Sequence, residues 1–104
     1  MFGKPKKVKF SKEEQKLLDD LYSLIMDKEI SDNEREILLK AKNLLETGDY
    51  TPNVIKRLYI TLQQPAVKQE MTPKVAEFFN SLSRRFYKIA PFGSNLASLQ
   101  VAPL

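Results

Sequence analysis

The 104-residue sequence predicts an all-α protein, an antiparallel four-helix bundle with a basic N-terminal arm and an irregular C-terminal tail. Three observations lead there. Apolar residues recur at helical spacing in four separate stretches, so each stretch carries a single apolar seam. A start signal heads every stretch: Ser11-x-x-Glu14, Ser31-x-x-Glu34, Thr51-Pro52 and Thr72-Pro73. The links between the stretches are short, which places consecutive helices side by side and antiparallel. The organisation expected is an arm over residues 1–10, a helical domain over 11–90 and a tail over 91–104.

Gly3 and Pro5 discourage helix in the arm, and Val8-Lys9-Phe10 is too short to stand as a strand. Ser11 and Glu14 form a capping box, each side chain reaching the other's backbone amide. Leu17, Leu18, Leu21, Leu24 and Ile25 follow as one stripe, so the first helix should run from Lys12 to about Asp27. Ser31 and Glu34 repeat the box after a short turn. Ile37, Leu38, Ala41, Leu44 and Leu45 face inward from the second helix, Asp32, Glu34 and Glu36 favour its positive end, and Gly48 suits the left-handed residue that closes it.

Thr51 reads as the cap of the third helix, with Pro52 at the first helical position and a staple from Tyr50 to Ile55. Val54, Ile55, Leu58, Tyr59 and Leu62 form its inner face. Pro65 must stop or kink the helix near Gln63, with Ala66–Glu70 expected to continue beyond the kink. Thr72 and Pro73 open the last helix in the same way, the Thr72 hydroxyl accepting from a first-turn amide. Its seam is Val75, Phe79, Leu82, Phe86 and Ile89, widened by Phe78. Pro91 ends the pattern. The tail carries no charged residue, and either packs back on the bundle or meets a partner.

Composition narrows the chemistry. The sequence contains no cysteine and no histidine, which removes disulfides, thiolate chemistry and the commonest metal ligand and general base. Asp19-Asp20 and Glu13-Glu14 are adjacent pairs, and neighbours on a helix diverge by about 100° rather than converge on a substrate. Gly3, Gly48 and Gly93 are too far apart to form a phosphate loop. Tyr59, Phe78, Phe79 and Phe86 read as core rather than a ligand pocket. No catalytic residue, cofactor site, metal site or small-molecule substrate is expected, and the protein is not read as an enzyme. With no signal peptide and no membrane-length apolar run, a cytoplasmic location is expected.

Charge is unevenly distributed. Residues 1–10 carry four lysines and no acid; residues 11–50 carry six bases against eleven acids, and residues 51–104 seven bases against two acids. Such asymmetry speaks to partners rather than to fold. The densest basic cluster inside a helix is Arg84, Arg85 and Lys88, with Tyr87 beside it and off the seam. The cluster suits the negative end of the last helix, or an acidic or membrane-associated partner surface. A small nucleic-acid-associated regulator is the alternative, although a groove for nucleic acid would concentrate more cations on one element.

Residues 18–50, LDDLYSLIMDKEISDNEREILLKAKNLLETGDY, resemble streptococcal members of the enterocin A immunity family, bacteriocin immunity proteins of lactic acid bacteria. Residues 71–79, MTPKVAEFF, are similar to the start of that family's last helix. The resemblance spans about residues 11–90. It implies an antiparallel four-helix bundle that protects a producer cell from a pore-forming class II bacteriocin. It also implies action from the cytosol on a receptor–bacteriocin complex, typically the mannose phosphotransferase permease, with room for a peripheral membrane contact. The C-terminal half of the family discriminates between bacteriocins, which by position implicates Arg84, Arg85, Tyr87, Lys88, Phe92, Leu96 and Leu99.

Overall fold

A computed structural model describes residues 10–90 and 102–104. It is all-helical among these residues, with five helices: α1 (Lys12–Ile25), α2 (Asp32–Glu46), α3 (Thr51–Gln63), the short α4 (Pro65–Gln69) and α5 (Pro73–Ile89). The four long helices pack in a cycle: α1 against α2, α2 against α3, α3 against α5, and α5 back against α1. Of the expected arm only Phe10 is described, and it packs against the core; residues 1–9 and 91–101 lie outside the described residues.

The seams meet in one core. Leu17 and Leu21 of α1, Leu38 and Leu45 of α2, Ile55 and Leu62 of α3, and Leu82 and Phe86 of α5 are almost wholly removed from water. Burying side chains of this size contributes about 1.5–3 kcal/mol each, which is what holds the helices against one another. On α5 the buried face is Val75, Phe78, Ser81, Leu82 and Phe86. Phe78 therefore sits at the centre of the seam and Phe79 at its edge, the reverse of the expected order. Phe79 packs instead on Tyr59 of α3, with ring centroids 5.1 Å apart and planes 13° from parallel.

Both capping boxes form as expected, Ser11 with Glu14 and Ser31 with Glu34. α1 ends at Ile25, two residues earlier than expected. The turn that follows is held from α2: Arg35 donates from Nε to the Ile25 carbonyl at 2.9 Å and from Nη2 to the Asp27 carbonyl at 2.7 Å. Gly48 closes α2 with φ 92°. The Gly48 N–H donates to the Leu45 carbonyl and the Asp49 N–H to the Leu44 carbonyl, the paired bonds of a glycine-terminated helix. Beyond α3, Gln64 is extended at φ −61°, ψ 139°. A residue before proline is pushed into that region, so Pro65 does not kink α3 but starts α4, which tucks Val67 into the core.

The two Thr-Pro starts do not work as expected. Neither Thr51 nor Thr72 caps its own helix through its hydroxyl: the N-cap of α3 is Tyr50, and the N-cap of α5, Thr72, accepts no side-chain bond. Of the two residues expected to form a staple, Tyr50 is more than half exposed and Ile55 is buried. Each threonine is instead engaged by a glutamate from a capping box. Thr51 donates its hydroxyl to Glu14 Oε2 at 2.6 Å. Thr72 donates its backbone N–H to Glu34 Oε2 at 2.8 Å, with its hydroxyl 3.4 Å from the same oxygen. The starts of α1 and α3 are thus tied together, and so are those of α2 and α5.

Glu34 is 1% exposed, a burial that a carboxylate tolerates only when its oxygens are occupied. Oε1 accepts the Ser31 N–H at 2.9 Å while Oε2 serves Thr72. At both ties a negative group sits between the positive ends of two helices. Glu14 shows the electrostatic consequence. Burial alone would raise its carboxyl, but bonds from the Ser11 backbone, the Thr51 hydroxyl and the Ser11 hydroxyl outweigh burial and hold it below the ordinary carboxylate range.

The end of the chain folds back. Arg57 Nε donates to the Ala102 carbonyl at 3.1 Å, and the Leu104 N–H donates to Thr61 Oγ1 at 2.9 Å. Leu104 packs against the core. Of the two readings of the tail, these three residues follow the first.

Candidate partner-recognition surface

The last two turns of α5 carry the basic cluster, and its members have different structural roles. Arg85 is a strut. Its Nε donates to Ser81 Oγ at 2.8 Å, an Nη2 hydrogen bond reaches Asp20 of α1, and the guanidinium lies 5.3 Å from the Phe78 ring. Ser81 in turn donates its hydroxyl to the Phe78 carbonyl at 2.6 Å, which lets a hydroxyl sit on the buried face. Arg84 and Lys88 are exposed. Tyr87 is 56% exposed, and its ring stands edge-on to Phe86 with centroids 5.2 Å apart. Phe92, Leu96 and Leu99 lie outside the described residues.

A cleft of about 680 Å³ runs between α1 and α5. Ion pairs close it at both ends. At one end Arg85 meets Asp20; at the other Lys74 Nζ lies 2.6 Å from Asp27 Oδ2 and 3.7 Å from Glu29 Oε1. These pairings run α1 and α5 in opposite directions. The Lys74 hydrogen bond, helped by the Glu29 amide, holds Asp27 below the usual carboxylate range, and Asp27 in turn raises Lys74. Leu24 and Phe78 are buried beneath the cleft, while Ser23 and Ser81, being small, leave its space open.

Next to Arg85 the same face narrows to a concavity of about 90 Å³ lined by Glu13, Lys16, Arg84, Arg85 and Lys88. Elsewhere, Tyr22 of α1 donates to Glu46 of α2, which also pairs with Lys42 at 3.0 Å. The bond to Glu46 raises the Tyr22 hydroxyl, and bonds from Tyr22 and Lys42 lower Glu46. This trio joins two helices on an exposed face. Among the described residues no group of three or more carboxylates could hold a metal ion. The surface offers charge, hydrogen bonds and an exposed aromatic ring, the means of binding another molecule.

The model of the bacteriocin immunity protein family matches residues 12–85, from the first residue of α1 to the Arg85 strut. The chain belongs to this family. No curated protein and no solved structure matches it. The match takes in the Ser31–Glu34 capping box, both Thr-Pro starts and the cleft between α1 and α5, and begins one residue after Ser11. It stops before Tyr87, Lys88 and the uncharged tail. The residues after the matched span include Tyr87, Lys88, Phe92, Leu96 and Leu99 of the expected recognition set.

Proposed function

We propose that this protein protects a bacteriocin-producing cell from a class II, pore-forming bacteriocin by acting from the cytosol on the complex of bacteriocin and receptor. Membership of the immunity family carries the reading. The packing cycle of four long helices supports a rigid antiparallel four-helix bundle as its scaffold. Among the described residues no helix is long and apolar enough to cross a membrane, so engagement of a membrane receptor falls to the outside of the bundle. Arg84, Tyr87 and Lys88 on α5 are the residues proposed to meet it, with Phe92, Leu96 and Leu99 following. Arg85 supports them by fixing α5 on α1. The mannose phosphotransferase permease is the proposed receptor, and no catalytic step is involved.

The test is expression in a sensitive strain challenged with a panel of class II bacteriocins. The reading predicts resistance to one or a few members, lost on Arg84→Glu with Lys88→Glu while the fold is kept. Equal sensitivity with and without the protein, across the panel, would remove it.

A further inference from the structure

Among the described residues some cations have an ion-pair partner and others do not. Lys42, Lys74, Arg35 and Arg85 each lie within 4 Å of a carboxylate oxygen. Lys16, Arg84 and Lys88 form no ion pair among the described residues, yet all three line one concavity of about 90 Å³ whose only acid is Glu13. They come from two helices: α5 ends beside the first turns of α1, so Lys16 faces the last turns of α5. From the other side α3 sends Lys56, whose Nζ lies 5.7 Å from the centre of the Phe86 ring.

We propose that this corner, built on Lys16, Arg84 and Lys88, is a docking surface for an anionic phospholipid bilayer. The inference goes beyond the immunity reading and stands on charge and geometry alone. Three cations left without partners at one rim have their full charge available to an external anion. The concavity between them has room for a phosphate-sized group and not for a nucleic-acid backbone, which would need a longer basic track. A bilayer presents many such groups in one plane, which suits a shallow corner carrying three unpaired cations. Each cation brought to an anionic surface strengthens partitioning by about fivefold. Three of them together are worth a factor of about 100. The attraction should fade as salt shortens the Debye length from about 10 Å at 0.1 M to 3 Å at 1 M.

The experiment is co-sedimentation of the full chain with vesicles of phosphatidylcholine alone and of phosphatidylcholine with about one third phosphatidylglycerol, at low and at high salt. The inference predicts binding to the anionic vesicles only, reversed by salt, and a loss of about 100-fold on Lys16→Ala, Arg84→Ala and Lys88→Ala together. A control triple, Lys28→Ala, Lys40→Ala and Lys68→Ala, has the same net charge and lies on other faces; it should bind nearly as the parent does. Circular dichroism confirms that both variants are folded, and Arg85 is left in place because of its structural tie to Asp20. Equal losses in the two triples would overturn the inference, since net charge and not this corner would then be responsible. Equal binding to neutral vesicles, or retention on DNA without retention on anionic vesicles, would also overturn it. An excess of inorganic phosphate at matched ionic strength should leave the bound fraction unchanged. Full release would make free phosphate, not a bilayer, the ligand.

Discussion

Removing the Glu34 carboxylate should loosen the start of two helices at once. In Glu34→Ala, the Ser31 N–H loses its acceptor at 2.9 Å and the Thr72 N–H loses its acceptor at 2.8 Å. Glu34 is 1% exposed, so water does not readily replace it. A hydrogen bond to a charged group is worth about 1.5–3 kcal/mol net, which places the combined loss at about 3–6 kcal/mol. Against a total stability of roughly 5–15 kcal/mol for a domain, that is a large share. With a urea m-value of about 1.5 kcal/mol/M, the midpoint should fall by about 2–4 M. Glu34→Gln keeps the shape but turns an amide NH₂ towards one of the two donors, and should cost about half as much. Thr72→Val separates this account from ordinary capping. If the hydroxyl capped α5 the change would cost about 1 kcal/mol; here it should cost less than about 0.5 kcal/mol, because only the 3.4 Å contact is lost. Urea titrations followed by far-UV circular dichroism measure all three. A Glu34→Ala midpoint within error of the parent, or a Thr72→Val loss equal to it, would refute the reasoning.

Other expectations follow from the same packing. Leu82→Ala, at a side chain with no exposure, should destabilise by about 2–5 kcal/mol in the same titration. Arg85→Ala should destabilise more than Arg84→Ala, and a double-mutant cycle with Asp20→Ala should give a coupling of about 0.5–1 kcal/mol, modest because the pair is partly solvated. In acid, Glu14, Asp27 and Glu46 all have carboxyls held below their ordinary values. Their stabilisation is complete above the unfolded value of about 4 and is lost as pH falls through the lowered folded values. Stability should therefore decline below about pH 4, and Glu14→Gln should make that decline shallower.

What could be read in the sequence was local. The capping boxes, the Gly48 terminus and the four seams each depend on residues within a turn or two, and each appears near its expected place. The centre of the α5 seam was misplaced because the spacings 75, 78, 82, 86 and 75, 79, 82, 86 both satisfy a 3.6-residue period. Two adjacent phenylalanines cannot be ranked until the neighbouring helices are in position. The Thr-Pro starts were recognised and their partners were not. Glu14 lies 37 residues before Thr51 and Glu34 lies 38 before Thr72, and each glutamate already satisfied a local box. The near-equal separations were the available signal. Only a folded chain shows that one carboxylate oxygen serves the box while the other crosses to a second helix.

The recognition surface divides in the same way. Arg84 and Lys88 are exposed, as their positions off the seam implied. Arg85 was grouped with them by sequence proximity, but its partner Asp20 is 65 residues away. Reversing its charge would set a carboxylate against another carboxylate across the α1–α5 contact. Functional tests of recognition therefore belong on Arg84 and Lys88, and Arg85 belongs with the stability series.

The proposed mechanism is tested most directly by isolating the tagged protein from detergent-solubilised membranes of cells carrying the cognate receptor, with and without the bacteriocin it protects against. The account predicts that receptor and bacteriocin co-purify with the protein when the bacteriocin is present, and that the yield falls with Arg84→Glu and Lys88→Glu. Capture of free bacteriocin by the purified protein in the absence of receptor, with no receptor recovered from membranes, would contradict it.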